Sequence, residues 1–224
     1  MSRPAELPSG WPYCPPRAPL ALRHVDPELV LVDKPSGLLS VPGKAPGLED
    51  CLEARVRHAY PDARLVHRLD MDTSGVMVFA RSALAQRHLG WQFERRQIEK
   101  SYVARVWGHP GAPSGRIDLP LCADWPRRPL QMVCHLRGKP AVTRWELIAA
   151  EGATSRLRLR PETGRSHQLR VHLRELGHPI LGDRFYAGGR ALAAAPRLAL
   201  HAESLRFRHP VGGAWLTVTA PVPF

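Results

Sequence analysis

Val76-Met77-Val78-Phe79-Ala80 is an unbroken apolar run of five residues between Thr73-Ser74-Gly75 and Arg81-Ser82. A run this short, closed by turn formers, reads as a strand buried on both faces rather than a helix. The rest of the chain has to be arranged around it. Directly before it stands Val66-His67-Arg68-Leu69-Asp70-Met71-Asp72-Thr73-Ser74-Gly75, which places ionisable side chains, a hydroxyl pair and a glycine on a turn that feeds the strand. Reactive groups are commonly held in this way, on a loop fixed to a rigid edge. Taken singly, an Asp in such a loop is a turn former or a surface charge.

The other elements are short. Glu28–Asp33 and Leu38–Val41 read as strands, and Asp50 to His58 as a helix ended by Tyr60-Pro61. Ser82 can cap a helix that runs through Leu84, His88, Leu89, Trp91 and Phe93 towards Ile98. Lys100–Trp107 alternates, with Tyr102, Ala104 and Val106 on one side. From Gly108 to Pro140 the Pro- and Gly-rich sequence reads as a long insertion or loop pair, with Trp125 beside Arg127 and Arg128. Val142–Ala149 and Ser155–Arg160 read as a strand pair, Leu157 and Leu159 opposing Arg156, Arg158 and Arg160. Ser166 can cap a helix with Leu169, Leu173 and Leu176 on one stripe before Gly177. Arg197–Ala202 and Ala214–Val218 supply closing strands. The pattern is α+β, a mixed and mainly antiparallel sheet flanked by helices and loops. Residues 1–24, with their many prolines, read as an extended arm too short to be a further domain, and 25–224 as one domain.

The formal charge of +12 and pI near 10.5 point to an anionic polymer or surface as partner. Arginine supplies nearly all of it. That suits bidentate phosphate contacts and equally fits coding bias. Cys14, Cys51, Cys122 and Cys134 are scattered, suggesting neither a disulfide framework nor a zinc ribbon. On a helix His167 and His172 would lie about 140° apart and could not easily share a metal. No signal core or run of ~20 apolar residues is present, so a soluble, cytoplasmic monomer is expected. Gly37 to Lys44 superficially resembles a phosphate loop, but its spacing is one residue too long and Pro42 removes an N–H.

The segment His67-Arg68-Leu69-Asp70 with Thr73-Ser74-Gly75 resembles the signature of the RluA-type pseudouridine synthases. Val32-Asp33-Lys34-Pro35-Ser36-Gly37-Leu38, Lys100-Ser101-Tyr102 and Gly164-Arg165-Ser166-His167-Gln168-Leu169-Arg170-Val171-His172 fit further motifs of that family. The resemblance implies an isomerase that needs no cofactor and no metal, acting on structured RNA: a uridine of 23S ribosomal RNA and one in a transfer RNA anticodon stem-loop. It implies Asp70 as the catalytic carboxylate, Arg68 supporting or replacing the extruded nucleotide, Tyr102 stacking on the uracil and Arg170 pairing with Asp70. Arg165 and Lys34 are implied RNA contacts. The rival readings are a non-catalytic RNA-binding protein and an N-glycosidase. The latter is poorly served by Asp72, a second carboxylate in the same loop rather than across a cleft.

Overall fold

In the computed structural model, which describes residues 13–224, the elements run β1 (Ala21–Val25), β2 (Leu29–Lys34), α1 (Leu52–Ala59), β3 (Arg64–Leu65), β4 (Ser74–Ala80), α2 (Ala83–Glu94) and β5 (Glu99–Trp107). They continue as β6 (Ser114–Asp118), β7 (Leu121–Ala123), a 3-10 turn (Trp125–Arg127), β8 (Gln131–Val133), β9 (Val142–Glu151) and β10 (Thr154–Pro161). The chain closes with α3 (Gln168–Glu175), α4 (Gly189–Ala193), β11 (Leu200–Arg208) and β12 (Trp215–Thr219). Of the proline-rich arm, Pro4, Pro8 and Pro12 lie outside the described residues. Its remainder leads into β1, which starts at Ala21.

Two compact units emerge, one of residues up to Lys100 with Ala202–Pro223, the other of Ser101–His201 with Phe224. In the first, the strand order is β1-β2-β4-β11, with β12 added on β11 and β3 on β4. Strand β4 is buried at all seven positions, as its composition requires, and pairs antiparallel with β2 from Leu29↔Ala80 to Lys34↔Gly75. Helix α2 starts where the Ser82 hydroxyl accepts from Ala85 N at 3.0 Å and buries Ala85, Leu89 and Gln92 at i, i+4 and i+7. It ends before Ile98, because Arg96 takes a left-handed φ of 58°. Ile98 still reaches the core of this unit, with Leu31, Val76, Val78, Leu89 and Phe207. The strand expected at Leu38–Val41 is absent. Leu38, Leu39, Ser40 and Val41 are buried, but Leu39 O accepts from Leu52 N at 2.8 Å and Ser40 O from Glu53 N at 3.2 Å at the start of α1, while the Ser40 hydroxyl serves the loop described below.

In the second unit β5, β10, β9 and β6 follow one another, and the pairings β5/β10, β10/β9 and β9/β6 are antiparallel. Leu157 and Leu159 of β10 join Ala104, Val106, Trp145, Leu169 and Leu173 in its core. The arginines of the opposite face are matched by acids: Arg160 meets Glu146 at 3.3 Å, and Arg156 meets Glu151 at 3.9 Å. The Gly108–Pro140 stretch is more regular than its composition suggests, holding β6 and the β7–β8 hairpin. Its apolar positions Leu121, Leu130 and Val133 pack with Ala141, Val171 and Tyr186. Helix α3 is preceded not by a Ser166 cap but by His167 in the left-handed region, φ 53°, with no side-chain cap. It ends at Gly177, φ 87°, where His178 N donates to Leu173 O, a left-handed terminus that glycine adopts without Cβ strain.

Candidate active site

The loop that delivers Asp70 to the head of β4 is fastened through its backbone by the segment after β2. The Ser40 hydroxyl donates to Leu69 O at 2.6 Å and accepts from Leu69 N at 3.1 Å. Gly37 N and the Lys34 ammonium both donate to Met71 O, at 3.0 and 2.7 Å, and the Ser36 hydroxyl donates to Asp72 O at 2.6 Å. Leu69, Met71 and Asp72 are thus gripped from outside the loop, and Asp70 O closes a turn by accepting from Thr73 N at 3.1 Å. The carboxylate of Asp70 is half-buried on a backbone with little freedom to move. Glycine is required at the loop's end. Gly75 has φ 117°, and a Cβ there would lie 2.2 Å from Ala202 O.

This geometry overturns the expectation that Lys34 touches RNA. Its side chain is fully buried, and its ammonium also donates to Leu38 O at 2.6 Å and Pro35 O at 3.0 Å. Lys34 is a tie between segments.

Next to the loop, the His67 ring stacks on Phe93 with centroids 4.7 Å apart, and its Nε2 accepts from Val78 N at 3.1 Å. Burial, reinforced by the Lys100 charge, pushes its pKa down to about 3. The imidazole is therefore neutral, in the tautomer that leaves Nε2 free to accept. Burial and the neighbouring Arg96 lower Lys100 to about 8.

In the second unit, Tyr102 is a partly buried strand residue packed against the core that includes Ala104 and Leu159. Arg165 donates from Nε to Pro140 O at 3.1 Å, and its N–H is held by Gln168 Oε1 at 3.0 Å. Arg170 is 2% exposed. Its Nε and Nη2 form a fork to Asp183, at 2.8 and 2.6 Å, and its guanidinium carbon lies 5.0 and 5.2 Å from the Phe185 and Tyr186 ring centres. Asp183, itself fully buried, also accepts from Phe185 N at 2.9 Å and Tyr186 N at 3.2 Å. His167 Nδ1 and the Tyr186 hydroxyl are hydrogen-bonded at 2.6 Å. His172 is engaged by Thr143 Oγ1 and Leu119 O.

Of the residues singled out in the sequence, Arg68 and Asp70 thus share one loop of the first unit, with Arg68 exposed. Tyr102, Arg165 and Arg170 belong to the second. Sequence reasoning missed Ser40, whose two-way bond to Leu69 no motif spacing announces, and Asp183, which in Gly182-Asp183-Arg184 looks like a turn residue. The only available signal for Asp183 is that a buried helix arginine such as Arg170 requires an acid from elsewhere. Among the described residues no three His, Cys, Asp or Glu side chains gather as a metal site, and no helix is long and apolar enough to cross a membrane.

A rigidly presented carboxylate can act as a nucleophile or a base. Comparison with known proteins gives that capacity a family. Residues 28–175 match the family model for RNA pseudouridylate synthases. The chain is 53% identical over 214 residues to the dual-specificity RNA pseudouridine synthase RluA of Escherichia coli K12, covering 95% of this chain and 98% of the relative. It is 50% identical over the same length and coverage to the protein of that name from Pasteurella multocida. Among solved structures, human RNA pseudouridylate synthase domain containing 1 superposes with a TM-score of 0.75 at 28% identity, over 92% of this chain and 84% of that one. Human RNA pseudouridylate synthase domain containing 4 gives 0.73 at 26%, over 91% and 88%. With the match running from β2 to the last turn of α3, and half or more of the residues shared with two relatives along nearly their whole length, the chain belongs to the RluA-type RNA pseudouridylate synthases.

Proposed function

We propose that this enzyme isomerises one uridine in 23S ribosomal RNA and one in a transfer RNA anticodon stem-loop, with Asp70 as its catalytic carboxylate. The observation that carries the reading is the loop grip: Ser36, Gly37, Ser40 and Lys34 immobilise the backbone on both sides of Asp70 and so fix the place from which it acts. Two substrates are supported by the dual specificity of relatives at 50–53% identity.

In the reaction the N1–C1′ bond breaks, the detached uracil turns, and C5 bonds to C1′. C5 then loses its proton and N1 gains one, so the atoms balance without an outside reagent. Asp70 acts on the ribose or the base as the glycosidic bond opens, as nucleophile or as proton acceptor. Arg170 is assigned the task of keeping Asp70 ionised, since a guanidinium favours the charged form of a carboxylate. The Asp183 fork and the flanking rings of Phe185 and Tyr186 set the plane of that guanidinium. Tyr102 offers its ring to the extruded uracil, Arg68 supports the nucleotide or fills the place it leaves, and Arg165 contacts the RNA. Extrusion costs a few kcal/mol and least in a loop, which favours stem-loop substrates. The enzyme works as a cytoplasmic monomer formed of an N-terminal arm and one catalytic domain.

The test uses transcripts tritiated at uridine C5. Wild-type protein releases tritium and no free uracil, and Asp70→Asn releases none. Undiminished release by Asp70→Asn would remove the catalytic assignment, and free uracil would identify an N-glycosidase.

A further inference from the structure

The β7–β8 hairpin carries a feature that the isomerisation does not use. At its tip Trp125 is 61% exposed, and the Arg128 guanidinium carbon sits 3.9 Å from the centre of its ring. A large aromatic side chain left in water gains nothing for the fold.

The tip is nonetheless built to hold its shape. Asp124 N donates to Leu130 O at 2.9 Å, Leu130 N to Arg127 O at 2.9 Å, and Arg127 N to Asp124 O at 3.1 Å. The buried Asp124 carboxylate takes Arg127 Nε at 2.8 Å and Nη2 at 2.6 Å, although the Arg127 side chain is 73% exposed. From Leu121 to Lys139 this is the single carboxylate, set against Arg127, Arg128, Arg137 and Lys139. The hairpin is therefore strongly basic as well as aromatic.

It is also fixed to α3, the helix that carries Arg170. Gln131 N donates to the Tyr186 hydroxyl at 2.8 Å, the same hydroxyl that bonds His167 at the head of that helix. Leu130 and Val133 pack on the cluster containing Val171 and Tyr186.

We infer that Trp125 and Arg128 form a stacking platform for an unpaired base of the substrate RNA, with the hairpin's other cations on the adjoining phosphates. An indole braced on one face by a guanidinium presents its other face as a flat apolar surface, and every nucleobase has a matching one. The positive surroundings select a nucleic acid over an apolar protein partner. The inference rests on RNA being the substrate, which the family supplies, and is independent of the role of Asp70.

Binding of the full chain to a transfer RNA anticodon stem-loop, read by fluorescence anisotropy, tests it. Trp125→Ala is expected to weaken binding about 5- to 150-fold, the effect of losing one stacked base. Trp125→Phe, which keeps a ring, retains most of the affinity, and Trp125→Ala at saturating RNA releases tritium at close to the wild-type rate. Independently, 4-thiouridine RNA cross-linked to the wild-type protein yields an adduct within 121–139. Wild-type affinity in Trp125→Ala, or no adduct in that stretch while the wild type modifies the RNA, overturns the platform. Should Trp125→Ala fail to fold, the cross-link alone decides. If the wild-type protein neither binds nor modifies the stem-loop, it is the proposed function that falls.

Discussion

Arg170 and Asp183 are both buried, so either charge alone would be costly to keep out of water. Together they form a planar two-bond fork, and Asp183 satisfies its remaining capacity with two backbone N–H groups. Truncating the acid takes away the fork that two nitrogens of the buried guanidinium make with it. Asp183→Ala should therefore cost about 3–5 kcal/mol of folding stability, measurable as a lowered urea midpoint. A variant as stable as the wild type would show that Arg170 is held by something else. The same pair marks a limit of sequence reading. Arg170 stood out because it follows the apolar Leu169 on a helix stripe, but its acid lies 13 residues on, and only folding joins them.

At the scale of elements, the segment from Lys34 to Ser40 acts as a splint for the Asp70 loop, and the strand expected at Leu38–Val41 does not form. Ser40→Ala removes one hydroxyl that serves both the N–H and the carbonyl of Leu69. We expect it to cost about 1–3 kcal/mol, since two buried polar groups lose their partner. Tritium release at saturating RNA should fall as Asp70 loses its fixed position, with RNA affinity nearly unchanged. An unaltered rate would mean that the loop needs no splint. The elements read correctly were those with a local cause: the apolar β4, the Ser82 cap of α2, the Pro61 stop after α1 and the Leu157/Leu159 alternation of β10. The elements misread were those decided by contacts distant in sequence. Leu38–Val41 is drawn off by backbone bonds of Leu39 and Ser40 to Leu52 and Glu53 and by the Ser40 hydroxyl on Leu69, and the β7–β8 hairpin hides among prolines because its core partners Val171 and Tyr186 come some 40 to 60 residues later. The His167 left-handed turn displaced Ser166 from the cap position, and Gln168 instead ties Arg165 N and Thr163.

For the whole molecule, the net charge of +12 sets how binding responds to salt. Neutralised phosphates release counterions, so affinity for RNA should fall linearly on a log–log plot. A footprint of about six phosphates gives a slope of about −4, measured by anisotropy between 50 and 200 mM salt. A flat response would mean that the arginines are spent within the protein, as Arg160 and Arg144 are on Glu146 and Glu162. The division of the chain bears on synthesis as well. Residues 101–201 are contiguous, but the unit holding Asp70 is completed only by 202–223, which include most of β11 and all of β12. While the nascent chain is still being made, β4 has β2 on one edge and only the two residues of β3 on the other, so the part of that second edge that β11 covers stays open. The strand that follows the Asp70 loop is thus among the last to be enclosed, and a chain cut short before residue 200 would carry its most apolar strand with one edge still partly open to pairing with a stranger.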